Sequence, residues 1–227
     1  MINEVLARSQ IGVEEYLDLV FEDRPEPDFV DGEVVGRALP TPLHGQIQAL
    51  LAVLFAALSK RVPLTIITEV RVQIEPRLFR VIDFAVFRGA RPEGRYAINP
   101  ALVVVEIISP EDRYGKLTHR LEDYRRWGVP HVWLVDPELK RLYEYSEAGL
   151  LQYPGLRLPE FDFEISAQEL FKDVYSQVRR TGRFILAITT LTNPTIYRKI
   201  EAWQPNLRRF KKPSSTSPIR RIAESTW

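Results

Sequence analysis

Leu102-Val103-Val104-Val105-Glu106-Ile107-Ile108 decides the reading of this chain. An apolar run of this length, interrupted only by one acid, is the pattern of a strand covered on both faces. Glu106 in such a strand loses much of its hydration unless a cation or hydrogen-bond donors replace the water. A second strand-like run, Val81-Ile82-Asp83-Phe84-Ala85-Val86-Phe87, carries its own acid in a similar place. Two carboxylates on successive buried strands point to a divalent cation, because such ions take hard oxygen ligands.

The flanking segments complete an α/β pattern. Thr41-Pro42 precedes a helix over residues 44–61, where Ile47, Leu50, Leu51, Leu54, Phe55 and Leu58 follow the 3.6-residue period. Residues 65–75 alternate, with Val70, Val72 and Ile74 on one face and Glu69, Arg71, Gln73 and Glu75 on the solvated other. Ser109-Pro110 opens a helix over 111–127, closed by Gly128 and Pro130. His131-Val132-Trp133-Leu134-Val135-Asp136 is a further buried strand. Strand, helix and strand imply a crossover, hence a mixed β-sheet flanked by helices. A short helix over 12–20 and a hairpin turning at Asp31-Gly32 precede this core; strands over 141–146 and 150–153 follow it. Residues 161–171 close the unit, with Ser166 capping a last helical turn.

Composition bounds the chemistry. The 227 residues include no cysteine, which excludes disulfides, thiolate zinc sites and cysteine nucleophiles. His44, His119 and His131 are not at zinc-motif spacings. No signal peptide and no apolar stretch of spanning length is evident, so a cytoplasmic protein without membrane contact is expected. The net charge of +1 hides an asymmetry: residues 1–173 sum to −8 and residues 174–227 to +9. The first segment reads as the folded domain, the second as a basic, poorly ordered extension with linker-like Lys211-Lys212-Pro213-Ser214-Ser215.

The helix over 111–127 turns Leu117, Leu121 and Tyr124 towards the sheet, and Arg120 falls on the same stripe. Lys116 lies one turn earlier, on its flank. A cation is thus aimed at the layer that holds Asp83 and Glu106.

Together with Val13-Glu14-Glu15-Tyr16-Leu17, Asp31-Gly32-Glu33, His44-Gly45, Ile82-Asp83, Val105-Glu106-Ile107-Ile108-Ser109-Pro110, the segment from Leu121 to Pro130 and Val132-Trp133-Leu134-Val135-Asp136-Pro137, this pattern resembles the Uma family, a branch of the PD-(D/E)XK nuclease superfamily grouped with restriction endonucleases. The resemblance spans residues 11–171. It implies a restriction-endonuclease-like α/β core and an endonuclease acting on nucleic acid, DNA above all, in some members as a homodimer. Asp83 and Glu106 match the acidic pair that binds Mg2+ or Mn2+, with the backbone carbonyl of Ile107 as a further ligand. Glu33 matches an acid kept near the site. The chain departs from the superfamily where Lys is expected two residues after the Glu: Ile108 stands there. The family's Lys on the next helix is matched by Arg120, with Lys116 as the other candidate, and Ile82 stands where many relatives have Pro. Arginine clamps phosphate but is a poor general base. A nuclease-fold module with a weakened site, binding nucleic acid or a protein, is therefore the alternative. The competing readings of the single residues are plainer: Asp83, Glu106 and Arg120 as a buried ion-paired group, Lys116, Glu33 and Glu69 as solvated, and His44 as a residue opening its helix.

Overall fold

A computed structural model of the chain describes residues 10–21 and 25–176. The extension read over 174–227 lies outside the described residues from Gln177 onward.

The chain opens with a short helix α1 (Val13–Leu17) and a hairpin, β1 (Asp28–Val30) and β2 (Glu33–Val35). Asp31 and Gly32, at φ 51° and 104°, supply the two left-handed residues that a tight hairpin turn needs. Helix α2 (Pro42–Ser59) follows, its Thr41 hydroxyl accepting from the His44 N–H. Next come β3 (Leu64–Glu75), β4 (Leu78–Arg88) and β5 (Val103–Ile107). Helix α3 (Tyr114–Trp127) then crosses to β6 (His131–Asp136), which lies parallel to β5. Strands β7 (Arg141–Ser146) and β8 (Gly149–Tyr153) extend the sheet. A two-stranded ribbon, β9 (Gly155–Leu158) and β10 (Phe163–Ser166), leads into α4 (Ala167–Ser176).

The expected mixed sheet is present. Its order is β2-β1-β4-β5-β6-β7-β8, with β3 on the other side of β4. One layer buries Ile47, Leu51, Phe55 and Leu58 of α2 against Phe84, Val105 and Trp133. The other buries Leu117, Leu121 and Tyr124 of α3 against Ala85, Val104 and Leu134. By length and composition α2 does reach the threshold of a spanning helix, contrary to the sequence reading. Its buried stripe packs on the sheet instead. Helix α3 starts at Tyr114 rather than 111 because the Asp112 carboxylate accepts from the Ser109 N–H and holds residues 109–112 in a turn. The β9–β10 ribbon was not anticipated, since its short strands carry too few alternating residues to stand out. Ser166 caps α4 as expected, its hydroxyl accepting from the Glu169 N–H.

One irregularity positions the buried polar cluster around β4. A single edge of β4 pairs with β1 at Leu78 and Phe79, and with β5 at Phe84, Ala85 and Val86. Between these two partners residues 80–83 face a gap in the sheet. Side chains satisfy the backbone there, as buried peptide groups require. The Asp28 carboxylate accepts from the Val81 N–H (2.9 Å), Arg120 donates to the Val81 carbonyl (3.1 Å), and the Asp83 carboxylate accepts from the Ile107 N–H (2.9 Å). Arg80 in turn binds Asp28 (2.9 Å) and Asp123 (2.5 Å).

Asp28 is the keystone of that gap. Its replacement, Asp28→Ala, leaves the Val81 N–H and one face of Arg80 unpartnered in a buried place. A loss of about 3 kcal/mol is expected in urea unfolding; a loss under about 1 kcal/mol would show that water fills the gap without cost.

Candidate metal centre

Strict alternation breaks twice at the same level of the sheet. On β4, Ile82 and Ala85 both pack in the α3 layer, although three residues apart. On β3, Ile67 and Val70 do the same. The ladder between the strands keeps its register through the break, from Thr68↔Phe84 to Val70↔Ile82. Glu69 and Asp83 therefore stand opposite each other where both strands flip. Glu69 takes φ 50°, a left-handed conformation that costs a residue with a Cβ about 1–2 kcal/mol. On the other side of β4, Glu106 lies one step past the last β4–β5 pair, Phe84↔Val105. Three neighbouring strands thus bring Glu69, Asp83 and Glu106 into one row.

Like charges set opposite each other on adjacent strands repel, and the surroundings offset that repulsion. Arg37, in the loop between β2 and α2, donates one guanidinium nitrogen to Asp83 and the other to Glu69 (2.8 Å). Gln48 of α2 donates to both Glu69 (2.7 Å) and the Asp83 carbonyl (2.9 Å). Arg120 meets Glu106 at 2.6 Å, and the Tyr124 hydroxyl donates to the other Glu106 oxygen at 2.8 Å. His44 Nε2 lies 3.7 Å from Asp83 and 3.9 Å from Glu69. Both His44 ring nitrogens are buried with no hydrogen-bond partner.

Burial is the largest influence on Glu106, which is 1 % exposed, and it pushes the carboxyl up to about 8. Arg120 pulls it down, the Asp83 charge pushes it up further, and Arg37 and the Tyr124 hydroxyl oppose. Arg37 and Arg120 are held above the ordinary arginine value by these carboxylates, despite their burial.

The sequence candidates divide accordingly. Arg120 pairs with Glu106, whereas Asp83 pairs with Arg37 beside His44, and Glu106 stands outside the group of donor atoms spaced for one ion. Asp83 and Arg120 line a small cavity of about 20 Å³ with Ile107, His44, Glu69 and Arg37. Lys116 and Glu33 are exposed and line a larger cleft of about 520 Å³, which also reaches Arg37 and Arg120. Glu69 is exposed, in keeping with its expected solvated place, and His44 opens α2, yet both stand beside Asp83. Their donor atoms and that of Asp83 all lie within 4.8 Å of one another, a spacing that suits one metal ion. The orphaned imidazole and the two carboxylates fit a divalent cation, the oxygens suiting Mg2+ and the imidazole favouring Mn2+. Arg37 and Gln48 were missed, since neither sits in a motif and no periodicity marks them.

An interrupted mixed sheet flanked by helices, with an acidic row at the interruption, is the restriction-endonuclease-like class of α/β fold. The family model described as "Uma2: Putative restriction endonuclease" matches residues 13–179, and the chain belongs to that family. Five solved chains are similar to it. One, described as "a putative nuclease belonging to DUF820" from Anabaena variabilis, is 21% identical, with a TM-score of 0.63 over 72% of this chain and 99% of that one. At that identity the likeness is one of fold. No curated protein matches the chain.

Two outcomes follow from this geometry. Glu69→Gly relieves the left-handed strain and Glu69→Ala keeps it, so the Gly variant should be more stable by about 1 kcal/mol in urea unfolding; equal stabilities would mean that the backbone relaxes. Glu106 titrates higher in the folded chain than the ordinary 4.5. The folded state then holds an extra proton between about 4.5 and 8, and its stability falls as pH rises through that window. Glu106→Gln should flatten the slope of stability against pH, measured without added metal.

Proposed function

We propose that this chain is an endonuclease that hydrolyses phosphodiester bonds, DNA being its substrate, with Mg2+ or Mn2+ as the cofactor. The observation that carries this reading is the row Glu69–Asp83–Glu106 beside an unpartnered buried imidazole, opening through Arg37 and Arg120 onto a cleft of about 520 Å³.

Asp83 would be the central ligand, with Glu69 and His44 as the donors grouped with it and the Ile107 carbonyl as the further ligand that the family pattern implies. Glu106 already holds Arg120 and Tyr124, so it would serve the site mainly by fixing Arg120. A divalent cation bound there supplies Lewis-acid charge to the scissile phosphate and acidifies a water. Arg120 offers a fixed positive charge for the phosphate oxygens. Arg120 stays protonated, so the role of proton acceptor is closed to it. Lys116 would hold a flanking phosphate from the cleft, and Glu33 would orient water or backbone at its rim.

The second reading, a weakened nuclease-fold module, is favoured by Arg120 itself. Its guanidinium is tied to Glu106 and to the Val81 carbonyl, and it stands where the family pattern expects lysine. The acidic balance of residues 1–173 also leaves general DNA attraction to local patches or to the basic extension.

Nicking of supercoiled plasmid tests both. Wild type should nick with Mg2+ or Mn2+ and stop with EDTA. Asp83→Ala should lose on the order of a hundredfold or more. Cutting that survives Asp83→Ala or EDTA sinks the metal-dependent reading. A rise in cutting by Arg120→Lys would identify the arginine as the handicap of a weakened enzyme.

A further inference from the structure

Arg37 occupies an unusual place. It reaches between the small cavity that holds Asp83, Glu69 and His44 and the large cleft that holds Lys116 and Arg120, and it lines both. Its side chain is only 7% exposed, and its Nε is buried without a hydrogen-bond partner. The two terminal nitrogens are committed to two carboxylates that stand opposite each other across β3 and β4. A divalent cation at His44, Glu69 and Asp83 would take Asp83 Oδ1, the oxygen that Arg37 holds, while Glu69 turns Oε1 towards His44 and Oε2 towards Arg37. A guanidinium and a divalent cation compete for that Asp83 oxygen, because two positive centres at such range repel.

We propose that Arg37 is the counter-ion that holds the acidic row together in the cation-free protein, and that divalent cation binding frees its guanidinium to take a phosphate oxygen of the substrate in the adjoining cleft. This rests on the endonuclease reading above and adds a coupling to it. The buried, unpartnered His44 marks the spot as a ligand site rather than a finished ion pair: an imidazole excluded from water with two idle nitrogens is costly unless something else completes it. The cleft gives the displaced guanidinium somewhere to go, and its planar fork matches a phosphate in two-point contact. Metal and polynucleotide would then help each other bind, since the first ligand builds part of the site for the second.

The test compares the full-length wild type with Arg37→Gln in three measurements. Calorimetric titration with Mn2+ alone should show the variant binding about tenfold tighter, because a competing positive charge is gone. Anisotropy with a labelled DNA duplex in Ca2+ should show the variant binding about tenfold more weakly than wild type, and Ca2+ should strengthen DNA binding of the wild type more than that of the variant. Thermal denaturation should show the variant less stable without Mn2+ and restored to the wild-type midpoint at saturating Mn2+. Unchanged or weaker Mn2+ binding by the variant overturns the proposal, as does undiminished DNA binding. A loss of stability that saturating Mn2+ leaves in place also overturns it, and makes Arg37 a structural residue. If neither protein binds Mn2+, the metal-dependent endonuclease reading falls and takes this one with it. If wild type binds Mn2+ and cuts while Arg37→Gln matches it in both affinities, only the role of Arg37 fails.

Discussion

The hydrogen-bonding debt of a broken sheet edge governs this protein. Strand β4 borrows one partner, β1, at its start and another, β5, near its end, and residues 80–83 lie between them. Peptide groups buried in that interval must be satisfied by something other than a strand. They are satisfied by Asp28 and Arg120, which are charged, while Asp83 takes the Ile107 N–H across the gap. Charges brought in to complete the backbone then require partners of their own, and so Arg80, Asp123, Glu106 and Tyr124 are drawn in. The polar cluster in the middle of an otherwise apolar sheet is thus the direct result of a missing stretch of ladder.

The same interval decides what the cluster can do. On the far side of β4 the pairing with β3 continues, but both strands flip at Glu69 and Asp83. A regular pleat would have left Glu69 on the solvated face of an alternating strand. The flip, with its left-handed Glu69, swings a third carboxylate towards the gap. Three acids, two arginines and an imidazole are then drawn to the gap. Its acids are matched by arginines that are themselves nearly buried.

The strands that carry Asp83 and Glu106 could be read from the sequence because each acid interrupts a β-branched, apolar run, and nothing but a buried strand explains such a run. Arg120 was legible because it shares the helical stripe of Leu117 and Tyr124. His44 and Glu69 were visible as residues but not as members of a site. For Glu69, period-two alternation gave the wrong neighbours, since a paired irregularity on two strands leaves no mark in either sequence alone. For His44, the position at the start of α2 says nothing about what the helix end faces. Arg37 and Gln48 lie in the β2–α2 loop and on the less apolar side of α2, where charge and polarity are the default and carry no signal. The resemblance to the Uma family supplied the order of the motifs; the contacts that pin each side chain belong to the tertiary structure.

The gap draws on pieces scattered along the chain: Asp28 from the first hairpin, Arg37 from a loop, His44 from α2, Glu69, Asp83 and Glu106 from three strands, Tyr124 from the crossover helix. No short stretch contains enough of them to hold an ion. During synthesis the early donors would wait, mispaired or hydrated, until Tyr124 had left the ribosome and α3 had docked. Whatever chemistry the acidic row performs is consequently an all-or-none property of the completed domain, absent from every shorter fragment.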